Sequence, residues 1–102
     1  MIKVTVLYPT GEGKTFDMAY YLSSHMPLGG KLLRAKKYEI DQGLMGGAPG
    51  SPAPYMAMGH FFFDTIADFA AALTPEVSEQ LMADVVNYTN AEPVFQVSEV
   101  MI

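Results

Sequence analysis

Residues 2 to 8 place Ile2, Val4, Val6 and Tyr8 at alternate positions against Lys3, Thr5 and Leu7. That period of two lays one set of side chains on a covered sheet face and predicts a first strand. After the turn PTGEG the period changes, because Phe16, Ala19, Tyr20, Ser23 and Met26 follow helical spacing. Thr15 is a candidate cap and Asp17 suits the positive end of the dipole, so a helix is expected over 15–26. Pro27 and the pair Gly29 and Gly30 are expected to stop it. LLRAKKYEIDQ at 32–42 reads as a second strand, with Leu32, Arg34, Lys36, Tyr38 and Ile40 on one face. YMAMGHFFF at 55–63 reads as a third that is apolar on both faces, with Ala57, Phe61 and Phe63 on one and Met56, Met58 and Phe62 on the other. A strand of that kind needs cover on both sides.

Thr65 with Asp68 three residues on resembles a capping box for a short helix carrying Ile66, Phe69, Ala70 and Leu73. Thr74 before Pro75 and Glu76 then restarts a helix, whose buried stripe is Val77, Leu81 and Val85. PVFQVSEVMI at 93–102 supplies a fourth strand, with Pro93 tolerated at its first residue. The order is that of the split βαββαβ unit. A single α+β, ferredoxin-like domain over 1–102 with a four-stranded antiparallel sheet is therefore expected. Its two helical segments can cover one sheet face only. Leu7, Met58 and Phe95 or Val97 are assigned to the other, so a second copy of the chain is the expected cover. GGAPGSPAPY at 46–55 cannot be helical. It joins strands that a two-residue turn could connect, and the excursion is expected to shape a cleft mouth or grip the partner copy.

The net charge of −5 hides an asymmetry: all six basic residues lie between Lys3 and Lys37, whereas nine of the eleven acids follow them. A chain-wide basic footprint is missing, which argues against nucleic acid. No run approaches the roughly 18 apolar residues of a membrane span. MIKVTVLY lacks the features of a signal peptide, so a cytoplasmic protein is expected. The absence of cysteine removes disulfides, thiolate nucleophiles and zinc-thiolate sites. GEGKT at 11–15 is not a phosphate loop, since Tyr8 stands where the first glycine is needed. Neither HxH nor HExxH occurs, so no metal is expected. His25 lies four residues after Tyr21, on the same helix face. It can serve the negative helix terminus or move protons on a bound substrate. His60, beside Gly59, reads as a structural or interface residue.

FDMAYYLSSHMPL at 16–28, GGAPGSPAPYMAMGHFFFD at 46–64 and ADVVNYTNAEPVFQVSEV at 83–100 resemble the EthD family across nearly the whole chain. That resemblance implies a dimeric α+β barrel, in which two ferredoxin-like units pack sheet against sheet. It also implies a setting of ether degradation alongside a cytochrome monooxygenase system, with members often labelled oxidoreductases. No flavin or nicotinamide fingerprint is visible, so no cofactor is expected. Relatives in the wider barrel superfamily include a methylmuconolactone isomerase, polyketide cyclases and cofactor-free monooxygenases. His25 resembles the helix-end histidine of that isomerase, Tyr38 in KKYEI resembles its tyrosine, and Phe61 stands where it has a cysteine. The expectation is a homodimer that binds a small apolar or aromatic metabolite in a cleft lined by Tyr8, Tyr21, Phe61 and Tyr88. In that cleft His25 acts as acid or base and Tyr38 orients a polar group. The alternative is an accessory protein whose cleft holds a metabolite for a partner monooxygenase, and a purely structural dimer module is a third reading.

Overall fold

Strand β1 (Ile2–Pro9) runs through the interior of the sheet, so its alternation decides what each face carries. The computed structural model describes residues 1–102. It joins β1 to β2 (Lys37–Gln42), β3 (Tyr55–Phe63) and β4 (Val94–Glu99) in the order β2-β3-β1-β4, every neighbouring pair antiparallel. Together with the helices between strands, this is the ferredoxin-like fold that the element order predicts. No helix is long and apolar enough to cross a membrane.

The register settles which side chains share a face. Val4 pairs with Phe61 and Val97, and Val6 with Gly59 and Phe95. Phe95 and Val97 therefore lie on the helix-covered face with Val4 and Val6, which corrects their expected place on the bare one. The reason is parity: β4 begins its pairing with Val94 opposite Leu7, so the odd positions of β4 match the even positions of β1. The other face carries Thr5, Leu7, Met58, His60, Phe62 and Asp41. Leu7, Met58 and Phe62 stand there as the alternation predicts.

Helix α1 covers 18–33 without interruption, longer than the spacing suggests. Its first turn is capped by Asp17, whose carboxylate accepts from the Tyr20 N–H, rather than by Thr15. Tyr21–His25 forms a π turn, closed by the Met26 N–H bonding to the Tyr21 carbonyl. The widened turn gives the Pro27 ring room that a regular α turn would deny it. Gly29 and Gly30 do not end the helix either. A Cβ on Gly29 would lie 2.6 Å from Cζ of Phe61, and one on Gly30 would lie 2.9 Å from Cδ2 of Tyr38. They are the points where the helix backbone settles onto aromatic rings of the sheet. The helix stops at Leu33, where Arg34 takes a left-handed conformation (φ 54°). The Arg34 and Ala35 N–H groups bond back to the Lys31 and Gly30 carbonyls, a Schellman-type ending. The predicted second strand accordingly begins at Lys37, not Leu32.

Helix α2 (Ile66–Ala72) and helix α3 (Pro75–Asp84) are separate, as the two start signals require. Thr65 Oγ1 accepts from the Asp68 N–H at 3.1 Å, and Thr74 Oγ1 from the Val77 N–H at 3.2 Å. A 3-10 turn at Val85–Asn87 extends α3 toward Tyr88. The buried cluster between helices and sheet includes Val4, Tyr8, Tyr21, Met26, Phe61 and Tyr88. The proline-rich excursion is tied to the end of β1, where the Thr10 N–H and hydroxyl donate to the Pro54 and Ala53 carbonyls at 2.9 and 2.7 Å.

Two substitutions test this account of α1. Gly29→Ala is expected to lower unfolding free energy by ~1–3 kcal/mol, because the added methyl overpacks Phe61. Arg34→Gly is expected to raise it by ~0.5–1 kcal/mol by relieving the left-handed backbone. Urea titrations of both variants check the opposite signs.

Candidate active site

Between the helix-covered sheet face and the helices lies a cavity of about 300 Å³. Its walls come from every layer: Val6, Phe61 and Phe95 from the sheet, His25 from α1, Phe69 from α2 and Leu81 from α3. Eleven of its fourteen lining residues are hydrophobic, and the other three include no lysine, arginine, aspartate or glutamate. A pocket of this kind orients a ligand through few polar groups. Here His25 and Tyr8 are two of them.

His25 is the last residue of the π turn. Its ring stacks on Tyr21 at 5.5 Å with 12° between planes, and tilts against Tyr88 at 4.6 Å. The helix continues eight residues past it, so His25 serves no helix terminus. Its Nδ1 lies 2.8 Å from Oδ2 of Asp84, at the end of α3. The other Asp84 oxygen accepts from the Tyr20 hydroxyl at 2.7 Å and from the Asn87 amide at 2.9 Å. An ionised carboxylate only accepts, so Nδ1 must carry the proton, which leaves the Nε2 lone pair free in neutral imidazole. Nε2 has no partner in the protein and is not sealed from space.

Burial pushes the His25 imidazole below its ordinary pKa, and the Asp84 hydrogen bond only partly opposes this. Burial alone would raise the Asp84 carboxyl, but hydrogen bonds from Tyr20, Asn87 and His25 outweigh it and hold the carboxyl below the usual range. The pair near neutrality is thus a neutral imidazole beside a carboxylate. That combination can accept a proton at Nε2 and return it.

Behind the cavity sits a group of tyrosines. The Tyr8 and Tyr88 hydroxyls hydrogen-bond at 2.7 Å. The Tyr21 hydroxyl is buried with no hydrogen-bond partner, pressed against Gly59 where a Cβ would collide with it. Burial raises all three phenols, so they stay protonated donors at neutral pH.

Of the residues singled out in the sequence, Tyr8, His25 and Phe61 line the cavity. Tyr21 and Tyr88 do not; they support it by packing on His25 and Tyr8. Tyr38 is not brought to this site. It stands half-exposed on the edge strand β2, over Gly30 and 6.3 Å from the Phe61 ring. None of residues 46–55 lines the cavity. Sequence reasoning missed Asp84, Tyr20 and Asn87. The spacing of Asp84 and Asn87 places them one turn apart at a helix end, but nothing in the order of residues couples Asp84 to a histidine 59 positions earlier.

His60 lies on the opposite sheet face in a chain of its own. Its Nε2 is 2.7 Å from Oδ2 of Asp41 and its Nδ1 3.0 Å from Oγ1 of Thr5. Both ring nitrogens are therefore occupied, unlike those of His25.

A family model described as the EthD domain matches residues 10–92. Among solved structures, the chain is similar to an EthD-like protein from Ralstonia eutropha JMP134, with 40% identity over 99% of this chain and 92% of that one and a TM-score of 0.91. An EthD family protein from Bacillus halodurans C-125 shares the fold at 19% identity over 99% of both chains, TM-score 0.74. A dimeric ferredoxin-like protein from Thermobifida fusca YX shares it at 14% identity over 97% of this chain and 90% of that one, TM-score 0.56. No curated protein matches the chain.

The depressed His25 pKa has a consequence for stability. The unfolded chain, with its histidine near 6.5, binds more protons than the folded one as pH falls below that value, so stability declines from about pH 7 downward until the lowered folded pKa is passed. Urea unfolding between pH 5 and 8 is expected to show this decline in the wild type and a shallower slope in His25→Gln.

Proposed function

The chain belongs to the EthD family, and on that footing we propose that it is a homodimeric small-molecule enzyme in which His25 moves a proton on an apolar or aromatic metabolite held in the cavity. The observation that carries this reading is the His25 to Asp84 hydrogen bond of 2.8 Å, which holds one imidazole tautomer and leaves Nε2 free at an apolar cavity. Asp84 acts as a positioning residue: it selects the tautomer and stabilises the imidazolium that forms. Tyr20 and Asn87 hold Asp84 in turn. Phe61 and Phe95 supply apolar wall. Tyr38 enters only as a packing partner of Gly30.

The homodimer is supported by the sheet face that the helices leave uncovered. Leu7, Met58 and Phe62 form its apolar part, and a second copy covers such a face by self-complementary packing. The dimeric state of the Thermobifida fusca neighbour accords with this.

The accessory reading, in which the cavity holds a metabolite for a partner monooxygenase, draws on the nearly uniform apolar wall, which can retain a ligand without reacting with it. Native mass spectrometry of gently purified protein in H₂O and D₂O separates the two. The expected result is a dimer carrying a small molecule that gains carbon-bound deuterium, with exchange reduced about a hundredfold or more in His25→Gln and less severely in Asp84→Asn. A retained molecule that never exchanges in the wild type supports the accessory role. In the same experiment Met58→Asp is expected to give monomer, since a carboxylate at the centre of the bare face opposes its burial.

A further inference from the structure

The three tyrosines behind His25 leave hydroxyl protons unpaired. Each phenol carries one O–H and can accept in return. The Tyr8 to Tyr88 hydrogen bond uses one of the three protons, and the Tyr21 hydroxyl donates to nothing. Two hydroxyl protons in a desolvated cluster thus lack a protein acceptor, a costly arrangement for groups this buried. Tyr8, Tyr21 and Tyr88 are at most 3% exposed.

Of the three, Tyr8 is the one that also borders the cavity. If Tyr88 donates to the Tyr8 oxygen, the Tyr8 O–H is released toward the ligand. That hydroxyl and the His25 Nε2 lone pair then complement each other at one cavity: a donor for a ligand oxygen and an acceptor for a ligand proton. The lining contains no cationic side chain to pair a carboxylate or phosphate.

We infer that the cavity takes an uncharged carbonyl compound with an acidic neighbouring C–H, its oxygen accepting from the Tyr8 hydroxyl while His25 Nε2 removes the adjacent proton. The inference rests on the proton-transfer role of His25 proposed above. In the step, the C–H bond breaks, the proton passes to Nε2, and the electron pair moves through the adjoining carbon onto the oxygen, giving an enolate. Tyr8, backed by Tyr88, donates a hydrogen bond to that oxygen as its charge grows. Where the carbonyl compound carries a β,γ double bond, the enolate extends to a dienolate, and return of the proton from His25 to its γ carbon completes a double-bond isomerisation that consumes no oxidant or reductant. Tyr21 packs edge-on against Tyr8 and helps keep it desolvated.

A stable oxyanion tests the donor cluster without turnover. The probes are 4-nitrophenol, whose phenolate mimics the enolate oxygen, 4-nitroanisole, which cannot ionise, and 4-nitrobenzoate, which carries a full carboxylate. The wild type is expected to bind 4-nitrophenol in its phenolate form, seen as the yellow absorbance band at a pH where the free phenol is mostly protonated. It is expected to do so at least about tenfold more tightly than it binds the other two. Tyr8→Phe should lose about tenfold or more of that preference while its circular dichroism matches the wild type, and Tyr88→Phe should lose part of it. Equal or tighter binding of 4-nitrobenzoate overturns the inference, as does unchanged phenolate affinity in folded Tyr8→Phe. If Tyr8→Phe fails to fold, Tyr88→Phe decides the matter: unchanged phenolate affinity there overturns it. Deuterium exchange that is lost in His25→Gln, together with no phenolate preference, would sink this inference and leave the proton-transfer reading standing. Phenolate preference without exchange would sink the proton-transfer reading and, with it, the enolisation inferred here.

Discussion

A histidine withdrawn from water needs a partner for its N–H, and in this protein that partner is the carboxylate of Asp84. The contact ties the middle of α1 to the end of α3 across 59 residues of chain. Its desolvation sets the terms for what surrounds it. The carboxylate is itself mostly buried and would be costly alone, so Tyr20 and Asn87 complete its hydrogen bonding. The imidazole faces are covered by Tyr21 and Tyr88. The π turn at Tyr21–His25 places Tyr21 and His25 in this stack, which fits the tendency of such turns to mark working sites.

The same helix has to approach the sheet closely for its histidine to border the cavity. Gly29 under Phe61 and Gly30 under Tyr38 permit that approach. Gly59 does the equivalent on β3, where it accommodates the Tyr21 hydroxyl and the Met26 thioether. Close backbone approach at three glycines thus sets the depth at which His25 and Tyr8 meet the apolar cavity.

The two histidines illustrate how environment assigns roles to one residue type. His60 has both nitrogens engaged, by Asp41 and Thr5, on the sheet face without helices. His25 has one engaged and one free, on the face with them. A saturated imidazole has no free ring nitrogen, whereas a half-saturated one at a cavity keeps a lone pair.

Much of the fold was legible because its signals are local. Alternation in 2–8 and 55–63, the caps at Thr65 and Thr74, and Pro75 at a helix start depend on neighbours a few residues away, and the element order then limits the topology. His25, Tyr8 and Phe61 were also singled out in the sequence, through spacing and family resemblance, and all three line the cavity. The continuation of α1 through Pro27, Gly29 and Gly30 was not, since stop signals yield when a π turn makes room for the ring and glycine serves packing instead of termination. The side on which Phe95 and Val97 fall depends on a one-residue choice of register that the run PVFQV leaves open. Asp84 became a partner of His25, and Tyr38 stayed away from it, only when helices and strands distant in sequence were laid together. Hydrogen bonding and desolvation act through space, and it was the tertiary structure that chose which of the eleven acids the buried histidine would meet.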